Sequence, residues 1–210
     1  MAKTLKTEIL GYGVRAFTSR HLEIRKLKRI HTPSVYGFRI WTSSWLLMDY
    51  FKHRGLRYGT RVMDVGCGWG LAGIYCARKH NASVTSVDID SEVFPYLRIH
   101  ANINNVEIET MNKAFDELTC KQLEDVDVLI GADICFWEAM VDPLKKLVCR
   151  ALQNGVQMVV IADPGRSTFY ELGEFFTRKG MGEFLPRAVQ IPHTIEGQIL
   201  RIMSFTGSRI

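Results

Sequence analysis

The chain has 210 residues, of which 47% are hydrophobic and 23% charged. That length and composition are typical of one globular domain with a short extension, and they exclude a disordered or fibrous chain. The longest apolar runs, such as Val156 to Ala162, are too short to cross a membrane. Because the first ten residues lack the apolar stretch of a signal peptide, we expect a cytoplasmic protein.

The cysteines indicate reduced thiols. Their number is odd, and the sequence contains no Cys-x-x-Cys pair. A disulfide framework or a zinc site is therefore not expected. The five positions are Cys67, Cys76, Cys120, Cys135 and Cys149.

Residues 1–57 are predicted to form an N-terminal arm or lid, followed by the main domain over residues 58–210. Residues 1–31 are interpreted as helical, and the Pro- and Gly-containing stretch 32–41 as a loop. Thr42 or Ser43 is placed to cap a helix that reaches about Arg54.

Most of the net charge of +5 lies in residues 20–31. We favour a helix with a solvated basic face for this stretch. Binding of an acidic partner such as RNA, a membrane or an acidic protein surface is the alternative. Nucleic acid is not favoured, because no aromatic residues alternate with the basic ones.

From residue 60 onward, short apolar strands alternate with amphipathic helices. This alternation predicts a parallel sheet covered on both faces, closed by an antiparallel pair of strands. The predicted strands are 61–65, 84–87, 106–110, 126–130 and 156–162, with the closing pair near 189–191 and 197–203. The predicted helices are 70–80, 91–102, 142–152 and 167–179.

The strongest chemical signal is the segment Val62–Gly70, which reads VMDVGCGWG between a predicted strand and a predicted helix. Its three glycines have the spacing Gly-x-Gly-x-Gly, and side chains there would block a ligand or the required backbone angles. The dinucleotide fingerprint requires glycine where the chain has Leu71, and no Walker lysine is present. The turn therefore predicts ligand binding and disfavours nicotinamide and phosphate sites.

A carboxylate is expected beside this turn. The second strand ends at Asp88, 18 residues beyond Gly70. In a doubly wound sheet, the carboxyl ends of neighbouring strands meet at one edge. A carboxylate there accepts hydrogen bonds from both hydroxyls of a ribose. Capping the next helix is the alternative role, for which Asp90 or Ser91 is better placed.

Together with a later strand that ends Gly131-Ala132-Asp133, these features resemble the class I, seven-β-strand methyltransferases that use S-adenosylmethionine (SAM). The match covers roughly residues 58–163. It implies SAM as the cofactor. It also implies an α/β fold with a Rossmann-like, doubly wound and mostly parallel sheet of seven strands, including an antiparallel C-terminal pair.

Shorter motifs resemble the protein lysine methyltransferases within that class. Residues 131–136, GADICF, look like their Asp-x-x-Tyr motif, with Phe136 in the tyrosine position. Residues 41–45 resemble their Trp-bearing segment. Residues 162–166, ADPGR, look like a segment of the subgroup that acts on the electron-transfer flavoprotein β subunit.

The resemblance implies a set of site residues. The methionine side of the cofactor site would be shaped by the glycine turn, the ribose held by the acid of the second strand, and the methyl-transfer channel bordered by the motif after strand four. The implied cofactor residues are Asp64, Gly66, Cys67, Gly68, Gly70, Asp88, Ile89 and Ala132, the implied catalytic residues Asp133 and Phe136, and the implied channel residues Trp41 and Trp45. An adenine contact by Asn112 or Phe115 is left open.

Asp133 would accept or orient the proton that a lysine acceptor must lose. The two tryptophans would form an apolar, cation-binding channel, with plain core packing as the alternative. Asp163 and Arg166 are predicted to pair across a Pro-Gly turn, and His193 to lie in a loop.

Three functions of the protein remain open. The chain could methylate a protein lysine, or a small molecule on nitrogen or oxygen. It could also be a non-catalytic SAM-fold subunit that binds a partner or RNA through residues 20–31.

Overall fold

The computed structural model describes residues 7–34 and 36–204. It begins with an antiparallel hairpin of β1 (Glu8–Gly11) and β2 (Val14–Phe17). A seven-stranded sheet follows, with strand order β5-β4-β3-β6-β7-β9-β8, in which β9 is antiparallel to both of its neighbours. This arrangement confirms the predicted fold class. Its strands are β3 (Arg61–Val65), β4 (Ser83–Asp88), β5 (Glu109–Asn112), β6 (Val128–Ala132), β7 (Met158–Asp163), β8 (Gly182–Val189) and β9 (Ile195–Met203).

Helices cover both faces of the sheet, and two hydrophobic clusters fill the layers between them. One cluster includes the apolar residues of α2 and α3, and the other those of α6 and α7. None of the helices in the described ranges is both long and apolar enough to span a membrane. The helices are α1 (Leu22–Leu27), α2 (Ser43–Arg54), α3 (Leu71–His80), α4 (Phe94–Ile103), α5 (Cys120–Leu123), α6 (Glu138–Gln153) and α7 (Ser167–Thr177).

The prediction of a helical arm over residues 1–31 is wrong for the hairpin, and residues 1–6 lie outside the described part of the chain. Tyr12 and Gly13 both have positive φ, 53° and 79°, as a two-residue hairpin turn requires. In β2, buried Val14 and Ala16 flank exposed Arg15, an alternation of period two that the helical interpretation overlooked. Among residues 7–31, the described part of the predicted arm, the helix is α1 (Leu22–Leu27).

Several element boundaries differ from the sequence prediction, and those of β8, β5 and α6 differ most clearly. Strand β8 begins at Gly182, well before 189, and because it is an edge strand it tolerates Pro186. Strand β5 covers 109–112 because these are the residues that pair with β4, whereas Val106 and Ile108 pack on the core before the strand starts. Helix α6 begins at Glu138 and contains Pro143 as its sixth residue, where we expected the proline in the first turn.

Candidate active site

The glycine turn joins β3 to α3 at the carboxyl edge of the sheet. Gly66, Gly68 and Gly70 have φ values of 63°, 51° and 73°, which disfavour any other residue. A Cβ atom at Gly66 would lie 2.6 Å from Ile134 Cγ2, and one at Gly70 would lie 2.6 Å from Leu97 Cγ. At Gly68 it would meet nothing within 4 Å. Two glycines therefore permit close packing, and the middle one faces open space.

Asp88 lies directly against this turn. Its Oδ2 accepts a hydrogen bond from the Gly68 N–H at 3.0 Å, and its Oδ1 accepts one from the Asp90 N–H at 3.0 Å. Burial raises the pKa of Asp88, and these N–H donors oppose the increase. The Asn112 amide donates to the carbonyl oxygens of Asp88 and Ile89, so Asn112 braces the end of β4. The predicted meeting of turn and carboxylate is therefore present in the fold.

A cavity of about 250 Å³ opens beside the turn and Asp88. Phe115 lines it, whereas the Asn112 side chain is occupied by its backbone contacts. The sequence prediction missed several wall positions because they lie on loops without a motif. The predicted residues that line the cavity are Trp41, Gly66, Gly68, Asp88, Ile89, Ala132, Asp133 and Phe136, and the missed ones include Tyr36, Gly37, Lys113, Asp116 and Trp137.

A second, smaller cavity of about 20 Å³ lies on the other side of the turn. Asp64, Cys67 and Gly70 line it, together with Arg39, which the sequence analysis did not select. The Arg39 guanidinium stacks 3.9 Å from the centre of the Trp41 ring. The two cavities share Trp41, Gly66 and Ala132, so the predicted cofactor residues form one continuous wall.

The Asp64 side chain is buried and accepts a hydrogen bond from the Gly73 N–H at 3.1 Å. Burial raises the pKa of its carboxyl to about 7; the Gly73 N–H opposes this increase, and the charge of Asp88 adds to it. A cationic group would stabilise this carboxylate. The Cys67 thiol, by contrast, stays neutral: burial and the charges of Asp88 and Asp64 raise its pKa and keep the sulfur protonated.

Asp133 belongs to a buried ion-pair cluster. Its Oδ1 accepts from Arg166 Nη1 at 3.0 Å, and its Oδ2 accepts from the Ser43 N–H at 2.9 Å, at the start of α2. The same Arg166 nitrogen pairs with Asp163, which confirms the predicted Asp163–Arg166 pair. Asp133, rather than Thr42 or Ser43, therefore caps α2. Both carboxylates are almost completely buried, with 2% of the Asp133 side chain and 0% of the Asp163 side chain exposed.

Aromatic rings surround the outer end of the larger cavity. The Phe136 ring lies between the Tyr36 ring, stacked at 5.3 Å between centroids, and the Arg166 guanidinium, 4.0 Å from its centroid. Trp41 meets Phe136 edge-on at 4.9 Å, and Trp137 lies 5.6 Å from Tyr36. We call these four aromatic residues the aromatic mouth.

Hydrogen bonds hold residues 31–34 and 36–41 over the carboxyl edge of the sheet. The Trp69 indole N–H, inside the glycine turn, donates to the Gly37 carbonyl oxygen at 2.8 Å. Upstream, the N–H of Thr32 donates to the Glu92 carboxylate. This segment therefore forms the wall opposite the sheet.

Trp45 was expected in the channel, but the structure places it elsewhere. Its side chain is 1% exposed, packs in the core and lies against Gly11 of the hairpin. The described residues that line the two cavities include Trp41 but not Trp45. Trp45 lies in the first turn of α2, and its side chain is on the face of the helix that packs on the core. His193 is exposed in the loop between β8 and β9.

The fold and this site together have the arrangement of the class I SAM-dependent methyltransferases: the sheet has the expected order, and the glycine turn and Asp88 meet beside the cavity. The chain belongs to the lysine methyltransferase family, whose model matches residues 20–177.

Curated proteins are similar in sequence to part of this chain. A ubiquinone biosynthesis O-methyltransferase of Salmonella enteritidis PT4 is 33% identical over 85 residues, which are 40% of this chain and 35% of that protein. The chain thus aligns with about a third of the length of such curated relatives.

Solved structures share the fold. A precorrin-6y C5,15-methyltransferase from Geobacter metallireducens superposes with a TM-score of 0.59 at 11% identity, covering 84% of this chain and 95% of that one. TrmK from M. capricolum, solved with S-adenosyl-homocysteine, superposes with a TM-score of 0.55 at 10% identity, covering 79% and 69%.

Proposed function

We propose that the protein transfers the methyl group of SAM to the side-chain amine of a lysine in a protein substrate. The observation that carries this proposal is the aromatic mouth at the outer end of the cavity. Ring faces are electron-rich and attract ammonium and methylammonium groups. The family description as lysine methyltransferases supports the same acceptor.

The residues around the two cavities fit SAM. Asp88 would hold the ribose, and the open space in front of Gly68 allows a ligand to approach the backbone there. The buried Asp64 carboxylate, with its pKa raised to about 7, would be stabilised by the α-ammonium of the cofactor. Ile89 would contact the adenine. Bound SAM supplies a methyl group on a sulfonium, which is already activated for transfer.

The chain's own contribution is alignment and exclusion of water. We do not assign Asp133 as the general base, because its carboxylate is paired with Arg166 and bonded to the Ser43 N–H. Its role is instead to fix the position of Phe136 and of α2 beside the cavity. The acceptor amine must therefore lose its proton to solvent before transfer, because only the neutral amine has the lone pair that attacks the methyl group.

Tritiated SAM and a cell lysate test the proposal. We expect the label in protein, recovered as methylated lysine after hydrolysis, and we expect Asp88→Ala to abolish the transfer. Label in a small-molecule fraction or in ribonuclease-sensitive material would contradict the lysine assignment. A second readout is the pH dependence of the rate. Without a general base, the rate should rise with pH toward the lysine pKa of about 10.4. A plateau near neutral pH would indicate that a base is present.

A further inference from the structure

The segment from Arg20 to His31 has an unusual concentration of charge. It contains five Lys or Arg residues and one Glu, which together carry +4 of the chain's net +5. The structure folds it as α1, followed by one more helical turn in which the His31 N–H donates to the Leu27 carbonyl oxygen. The segment therefore has helical faces up to residue 31.

One face of this segment packs on the domain. Ile24 is fully buried in a cluster with Phe17, Trp69 and Tyr96, and Leu27 packs against that cluster. The opposite side of the helix is solvent-exposed, and its residues recur every three or four positions, as one helical face requires. We call it the basic face, and its side chains are Leu22, Arg25, Lys26, Arg29 and Ile30.

The basic face combines unpaired cations with exposed aliphatic side chains. Leu22 is 61% and Ile30 73% exposed. Within residues 7–34 and 36–204, Arg25 and Arg29 make no ion pair, whereas Lys26 pairs with Glu23. Aliphatic side chains ringed by charge are typical of protein interfaces, whereas single-strand nucleic-acid sites stack bases on aromatic rings.

This face is continuous with the site. After Ile30, the chain is anchored to the residues that follow β4: the Tyr96 hydroxyl donates to the His31 carbonyl oxygen at 2.8 Å, and the Thr32 N–H donates to Glu92. Tyr36 then lines the cavity. Six residues span at most about 20 Å, so one macromolecule can contact both the basic face and the aromatic mouth.

We propose that the basic face docks an acidic surface of the protein substrate while the acceptor lysine enters the aromatic mouth. This inference rests on the proposed function and adds the chemistry of the surface around the acceptor. Opposite charges accelerate the encounter and favour the correct partner.

Charge reversal tests the docking. The variant Arg25→Glu/Arg29→Glu should lower kcat/KM for protein acceptors about tenfold and leave the SAM affinity unchanged. The control Arg54→Glu/Lys146→Glu carries the same charge change on exposed positions of α2 and α6. It should label protein at the wild-type rate. Equal protein labelling by wild type and the Arg25→Glu/Arg29→Glu variant would overturn the docking and leave the proposed function intact.

A binding measurement separates the two proposals. Fluorescent poly-L-glutamate should bind the wild type with an affinity that falls as salt rises, and should bind Arg25→Glu/Arg29→Glu at least about tenfold more weakly. Binding that the reversal leaves unchanged would overturn the proposal. Tighter, reversal-sensitive binding of a single-stranded RNA of equal charge would assign the face to nucleic acid instead. If wild type labels no protein, the proposed function fails, whereas these affinities still decide the chemistry of the basic face.

Discussion

Replacing Arg166 with Met removes the cation that two buried carboxylates share. The Asp133 and Asp163 side chains are 2% and 0% exposed, so water cannot replace the guanidinium. Breaking a buried pair from one side costs about 3–5 kcal/mol, because a charge is left uncompensated. We therefore expect Arg166→Met to lower the free energy of unfolding by that amount, or the melting temperature by about 6–20 °C.

The pH dependence gives this prediction its sign. Burial raises the pKa of Asp163, and the backbone N–H groups of Gly165 and Arg166, together with the Arg166 guanidinium, oppose the increase. Without the guanidinium the folded-state pKa rises further above the unfolded value of about 3.9. A carboxyl whose pKa is raised in the folded state gains stability as it is protonated, so the deficit of Arg166→Met should be smaller at about pH 5 than at about pH 8.

Urea denaturation at the two pH values measures the effect. Adding Asp163→Asn to the variant should recover stability at the higher pH, because it removes one of the uncompensated charges. Arg178→Met is the matched control: its side chain is 79% exposed, its pair with Glu174 is on the surface, and its loss should cost less than about 1 kcal/mol. A deficit for Arg166→Met below about 1 kcal/mol, or one equal at both pH values, would refute the reasoning.

Three further predictions concern the cofactor site. Because burial holds the Asp64 pKa at about 7, SAM affinity measured by calorimetry should fall below that pH, by up to about tenfold per unit, whereas Asp64→Asn should show a flat profile; a flat wild-type profile would contradict the ammonium contact. Asp88→Ala should weaken SAM binding at least about tenfold, since each hydrogen bond to a charged group contributes about 1.5–3 kcal/mol. Asp142→Ala, at an exposed position, is the control and should leave SAM binding unchanged. Equal SAM affinities of wild type and Asp88→Ala would remove Asp88 from the site. Gly68→Ala should cost about 1–2 kcal/mol of stability from its backbone angle, and Gly66→Ala more, because its methyl group also meets a side chain at 2.6 Å; equal losses in thermal unfolding would disprove the steric term.

The contact between the glycine turn and Asp88 was predictable because its signals are local. The glycine turn must follow a strand and open a helix, and a strand ending in Asp88 must bring its carboxylate to the same edge. Both statements depend on sequence spacing and on the geometry of parallel strands. The sheet was predictable for the same reason, because short apolar strands alternate with amphipathic helices along the sequence.

The acceptor half was less predictable, because its contacts join distant parts of the chain. The bond from Ser43 to Asp133 spans 90 residues, and the pair of Arg166 with Asp133 spans 33. Trp41 and Trp45 look equivalent in the sequence, but one precedes α2 and the other faces the core from its first turn. Only the packing of α2 on the sheet separates them.

The ion-pair cluster around Asp133 indicates how residues beside the cavity would serve the proposed reaction through their position. Asp133 adopts a positive φ of 58°, which is unusual for a residue other than glycine, and its carboxylate caps α2. Through Arg166 it is joined to the end of β7 and to the face of Phe136. The cluster thus ties two strand ends, one helix and the aromatic mouth into a single unit. Since SAM is already activated, alignment of acceptor and methyl group would be the main requirement of the proposed reaction, and a buried ion-pair cluster suits that requirement.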